Sequence, residues 1–387
     1  MGIRLDGTTD TISAPGSDLN LGQSGDSVKV ASQVQLPTHG ALSNRRININ
    51  GAMQVAQRGT VTNAGNEYAG PDRFRFAKND GAYTISQDSD VPSGQGFASS
   101  WKADVTAVPS GGSTSYVFLN HRIEGQDLQH LKKGTSSSES LTLSFWIKSS
   151  VTGTYIAEIY DNHNTRQISK SYTVSSANTW EYKTLTYPGD TSGTITNDNT
   201  ASLEVNFHFY AGSNFNSGTL NTSWAASTDA NRVVGQVNAA SSTDNNIFLT
   251  GVQLEVGEQA TPFEHRSYGD ELIRCQRYFE LISSEGNTRG VFGPGYCESS
   301  STAAGYILFE TKKRAAPTMT RSSTVSDFNF LNTGSSTALS ALTFDAATTK
   351  GSRYNCTSSG SPFNDGDGGF LTSFNTNTCT ISIDAEL

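Results

Sequence analysis

The stretch Asn246-Ile-Phe-Leu-Thr-Gly-Val-Gln-Leu-Glu-Val-Gly257 sets the fold class. Phe248, Thr250, Val252, Leu254 and Val256 fall on one face, a period of two that predicts a half-buried strand. Gly257 ends it. A loop follows, and then Ser267-Tyr-Gly-Asp270, in which Ser267 is placed to cap a helix and Asp270, three residues on, completes a capping-box pattern. Glu271 sits near the positive end of that helix, and Arg274 and Arg277 near its negative end. One strand therefore closes a domain, and a short helix leads into the next.

Upstream, the same alternation recurs. In 141–148, Leu141, Leu143, Phe145 and Ile147 face one way, and Thr142, Ser144, Trp146 and Lys148 the other. In 203–210, Leu203, Val205, Phe207 and Phe209 point inward, while Glu204, Asn206, His208 and Tyr210 point out. Strands are also expected over 72–78, 96–105, 115–121, 155–160, 168–174, 180–187 and 247–256, separated by turn residues. Only 127–133 has a helical look. This is the spacing of an all-β sandwich. Further strands over 290–296, 304–311, 318–322, 327–331, 342–345, 353–356 and 379–386 predict a second, smaller β domain. The organisation expected is an N-terminal attachment segment, 1–44, a jelly roll, 45–262, a linker with its helix, 263–280, and a β tip, 281–387. The strands of 1–44 are too short to bury a core alone, so that segment either docks on partners or is a loose leader.

Composition agrees. Of 387 residues, 37 are Gly and 3 are Met, and charged residues make up 16%, which suits many strands and turns. Aromatics reach 10%, more than a disordered chain carries. A net charge of −9, without a basic run, argues against nucleic acid. No apolar run has membrane-spanning length, and the N-terminus has no signal-peptide core, so synthesis and folding in a cytoplasm are expected. The four cysteines are then expected to be reduced, with Cys356 and Cys379 the pair of choice if any bond forms. No cofactor is expected. Residues 364–369 lack the ligands of a calcium loop, and 161–164 read as a hairpin tip.

A saccharide site needs aromatic rings against the sugar faces and polar side chains for the hydroxyls. Trp146 stands on the polar side of its strand, where the core has no use for it. It is either a ligand-facing ring or one covered by a loop or neighbouring chain. His208 and Tyr210 share the outward side of their strand and are expected to border one surface. Trp180 precedes Tyr182 on one strand face and reads as core. At the joint, Phe263 follows Pro262 and is expected to anchor the loop in a crevice. Arg266 is expected to pair with Asp270 or Glu271, and His265 and Tyr268 to pack the domains together. No local nucleophile, zinc-protease, nucleotide or dinucleotide motif is present, and no long repeat.

Val-Gln-Leu-Glu-Val-Gly, Ala-Thr-Pro-Phe-Glu-His-Arg-Ser-Tyr and Cys-Gln-Arg-Tyr, together with Asn-Gly-x-x-Gln-x-x-Gln-Arg-Gly-Thr at 50–60, resemble the tail fibre proteins of tailed bacteriophages. In those proteins a carbohydrate-binding-module-like jelly roll precedes a small β tip. The resemblance implies a non-enzymatic, homotrimeric virion protein. It would attach to other tail proteins through its N-terminus and adsorb to host-surface polysaccharide. A virion component without a ligand, and a polysaccharide depolymerase, are the alternatives.

Overall fold

The computed structural model describes residues 45–387, apart from 286, 288, 323, 334–336 and 375–378. The expected attachment segment, 1–44, lies outside the described residues.

The first part of the chain is a jelly-roll sandwich. One antiparallel sheet runs Glu67–Tyr68, Phe74–Lys78, Tyr116–Glu124, Ala201–Ala211, Gly153–Asp161, Arg166–Val174, Ala225–Ala226. The facing sheet runs Ala82–Asp88, Ser100–Ala107, Asn246–Val256, Leu141–Ser149, Glu181–Tyr187. The chain changes sheet at most connections, so inward side chains of both sheets meet in one core. Leu143, Phe145 and Ile147 meet Val205, Phe207 and Phe209 there, and Trp101 stacks on Phe209 at 5.8 Å.

Strict alternation fails inside the deciding strand. The register shifts between Thr250 and Gln253, where Gly251 has φ +62°. Ile247, Leu249, Val252 and Leu254 therefore enter the core, while Phe248 and Thr250 belong to the outer side and Val256 is exposed. A bulge re-aims half a strand in this way. Residues 45–60 run irregularly because Asn50 and Met53 take positive φ. They serve the bulge. Asn48 Nδ2 donates to Val252 O at 2.9 Å, and Leu254 N donates to Asn48 Oδ1 at 2.8 Å. A Cβ on Gly51 would lie 1.9 Å from Val252 O, so only glycine permits this approach.

The second part has a three-stranded sheet, Phe279–Ser283, Thr380–Asp384, Thr318–Arg321. A six-stranded sheet runs Phe328–Asn332, Gly368–Ser373, Val291–Cys297, Thr302–Leu308, Gly351–Ser358, Leu339–Asp345. Phe292, Ile307, Phe330, Tyr354, Leu371 and Ile381 form its core. All four cysteines are buried and unpaired.

The helix Tyr268–Gln276 joins the two parts, and Ser267 Oγ accepts from Asp270 N at 3.1 Å as the pattern predicts. Glu271 does more than complement the helix end. It is fully buried, pairs with buried Arg46, and accepts from Asn50 N at 2.7 Å. Phe263 is half-buried, edge-on to Phe97 at 5.0 Å and beneath the Arg46 guanidinium. Arg266 reaches Glu264 at 3.4 Å and Glu271 at 3.8 Å, and not Asp270. His265 and Tyr268 are exposed, which corrects the expectation that they pack the joint. The seal comes from arginines meeting the end of the chain. Arg73 pairs with Glu386 and lies 3.4 Å over the Tyr278 ring. Arg58 covers Phe279 at 3.5 Å and reaches Asp384 at 3.2 Å, and Arg277 grips Glu124 at 2.9 and 2.7 Å.

Candidate functional site

The outer side of the seven-stranded sheet is polar but closed. His208 is buried, with Nε2 at 3.3 Å from Glu158 Oε2. Asn206 Nδ2 and both forks of Arg232 hold the same carboxylate at 2.7–2.9 Å. Burial alone would raise the Glu158 pKa, yet Arg232 and His208 hold it well below the usual carboxylate range. Burial in turn lowers the His208 pKa. Val233, Phe215 and Leu220 pack over Ile156 on this side. A register shift between His208 and Tyr210 takes Tyr210 out of the row, to the edge of the main core near Tyr83 and Asp80. His208 and Tyr210 thus do not border one surface, and neither lies on the sheet that carries Trp146.

Trp146 lies on the outer side of the five-stranded sheet, between Thr250 and Tyr182 in register. The Trp146 and Tyr182 rings are 5.3 Å apart, and Tyr182 is 45% exposed, while Trp180 is half-buried and outside the core, against expectation. The bulge supplies the next ring. A Cβ on Gly251 would lie 2.7 Å from Phe97 Cζ and 3.1 Å from Trp146 Cδ1, so the bare backbone admits Phe97 beside Trp146. Thr250 Oγ1 donates to Ser99 O at 2.7 Å and pins the loop that carries Phe97. His265 adjoins Phe97 at 5.3 Å. Tyr182, Trp146, Phe97 and His265 form a row across the sheet. Its flank is polar. Trp180 Nε1 donates to Asp90 Oδ1 at 2.9 Å, Lys148 pairs with Asp90, and Lys102 bridges Asp104 and Asp88 at 3.0 and 3.5 Å. Rings with adjacent carboxylates and ammonium groups can cover a sugar's C–H faces and hydrogen-bond its hydroxyls.

Sequence reasoning missed Tyr182 and Phe97. Glu181 and Lys183 on the opposite side of Tyr182's strand mark an edge strand, which was a usable signal. Phe97 sits in a Gly-rich loop with no period. Elsewhere, Asp161 Oδ1 accepts from the backbone of His163 and Asn164, and Asp367 accepts from Asn364 and Thr333, as turn residues do. Among the described residues no group of three His, Cys, Asp or Glu is arranged to hold a metal, and no helix is long and apolar enough to cross a membrane.

No protein-family model and no curated protein matches the chain. Solved structures overlap it in part. The enzymatically active domain of bacteriophage CBA120 tailspike protein 4 is 16% identical over 52% of this chain, with a TM-score of 0.29. The overlap spans 22% of that domain's chain. A family 4 carbohydrate-binding module is 14% identical over 54% of this chain and 98% of its own, with a TM-score of 0.26. The family 11 carbohydrate-binding module of Clostridium thermocellum Lic26A-Cel5E is 16% identical over 52% of this chain and 97% of its own, with a TM-score of 0.27. Overlaps this loose carry no functional weight; the all-β sandwich rests on the strand order itself.

Proposed function

We propose that the chain is a non-enzymatic adhesion protein of a bacteriophage tail that binds host-surface polysaccharide through the outer side of its five-stranded sheet. The row Tyr182, Trp146, Phe97 and His265 supports this most. These rings stand outside the core, Tyr182 and His265 exposed and Trp146 and Phe97 half-buried, beside paired Asp and Lys groups. Asp88, Asp90 and Asp104 are each within reach of a lysine, an arrangement suited to holding hydroxyls. On this reading residues 1–44 attach to other tail proteins, and three copies, made in the host cytoplasm, assemble on the virion. Three weak sites on one particle would raise avidity without new contacts. Light scattering is expected to give a trimer mass for the full chain; a monomer would remove that part of the reading. Added protein is expected to block phage adsorption, and no oligosaccharide is expected to be released from the polysaccharide. Adsorption unaffected by saturating protein would favour a structural virion component, and release would require an enzyme.

A further inference from the structure

Five large apolar side chains, Val291, Tyr296, Tyr306, Leu308 and Phe370, stand exposed on the tip. The register gathers four of them on one side of the six-stranded sheet. Phe370 pairs with Pro294, Tyr296 with Ala304, and Tyr306 with Arg353, while Leu308 shares the side of Tyr306 two residues on. The opposite side faces the core, where Ile307 and Tyr354 are buried. Between Tyr296, Tyr306 and Arg353 the surface dips into an open hollow of about 740 Å³, with small Ala304 as part of its floor.

Two features make this more than a greasy patch. A Cβ on Gly351 would lie 2.4 Å from Tyr306 Cε1 and 2.9 Å from Cζ, so the missing side chain lets the ring lie down across the neighbouring strand. Tyr306 remains 39% exposed there. The polar groups beside it are paired. Arg353 Nη2 donates to Glu298 Oε1 at 2.7 Å, Tyr296 OH donates to the same oxygen at 3.2 Å, and Asn355 Nδ2 donates to Asp345 at 2.9 Å. The guanidinium is neutralised and a second carboxylate stands nearby, so no surplus positive charge is left to anchor an anion.

We propose that this hollow binds a neutral saccharide, with Tyr306 and Tyr296 against the sugar faces and the Arg353–Glu298 pair and Asn355 against its hydroxyls. The site is separate from the row on the jelly roll and does not depend on it. The full chain should be run by affinity electrophoresis through gels containing dextran, galactomannan or mixed-linkage glucan, and through gels containing polygalacturonate. The parent is expected to be slowed in at least one neutral gel and not in polygalacturonate. Tyr306→Ala is expected to weaken that retardation about fivefold or more, and Tyr306→Phe to keep it. Unchanged melting of each variant separates binding from folding. Retardation lost with Trp146→Ala but not with Tyr306→Ala would overturn this site while leaving the jelly-roll reading standing. Retardation in no neutral gel, or in polygalacturonate alone, would overturn it too. So would self-association of the chain that Tyr306→Ala abolishes, since the hollow would then be an interface between copies.

Discussion

Single residues decide where side chains point. Gly251 has both a positive φ and no room for a Cβ, since Phe97 Cζ would lie 2.7 Å away. Gly94 also has a positive φ, but nothing lies within 4 Å of its Cβ position. Gly94→Ala therefore isolates backbone strain, expected to cost about 1 kcal/mol. Gly251→Ala adds crowding and is expected to cost about 2–3 kcal/mol, read as a shift in the denaturant midpoint. Equal costs would mean that Phe97 is not held against the bulge. His121 makes a second residue-scale prediction. Burial, and then the Arg73 and Arg46 charges, hold its pKa well below 6.5, and Ile49 N donates to its Nε2 at 3.3 Å. The ring stays neutral in the fold while the free chain gains a proton near pH 6.5. The unfolded state then binds more protons as pH falls, and stability drops. From about pH 7.5 to about pH 5.5 the parent is expected to lose about 1 kcal/mol more than His121→Gln. The raised carboxyl pKa values of Asp72 and Glu386 act in the opposite direction, but in both proteins, so they cancel in the difference.

At the scale of elements, the helix Tyr268–Gln276 carries two contributions of different size. Its cap is exposed, so Ser267→Ala is expected to cost about 0.5–1 kcal/mol. Glu271→Ala would strand the buried Arg46 charge and is expected to cost about 3–5 kcal/mol. Thermal unfolding of both variants checks the order; a cap that matters more than Glu271 would contradict the joint described above. The cap was legible in the sequence because Ser267 and Asp270 are local partners. Glu271 was not, because its partners Arg46 and Asn50 lie more than two hundred residues away. The same contrast runs through the sheets. Period-two runs such as 141–148 located strands and their core sides, since one side is buried along its whole length. Register shifts at Thr250/Gln253 and His208/Tyr210 broke that period, moving Phe248 to the outside and Tyr210 out of its row. Ala82–Asp88, Phe279–Ser283 and Gly368–Ser373 escaped notice altogether, their short runs lying against turns or the joint helix.

For the whole molecule, the two cores are joined by charge and ring contacts rather than by a continuous apolar interface. Glu386 sits at the centre, against Arg73 and Arg58, while Arg314 donates to its carbonyl at 2.6 Å and Arg122 to Leu387 O at 2.7 Å. The proposed role places the polysaccharide on the five-stranded face. The most direct measurement is adhesion of the labelled full chain to bacterial cells and to their purified surface polysaccharide, with the Trp146→Ala/Tyr182→Ala double variant alongside. The parent is expected to adhere to cells and to polysaccharide alike. The double variant is expected to melt within a few degrees of the parent and to adhere at least about tenfold more weakly, the loss of two ring contacts. A double variant that folds and adheres like the parent would contradict the claim.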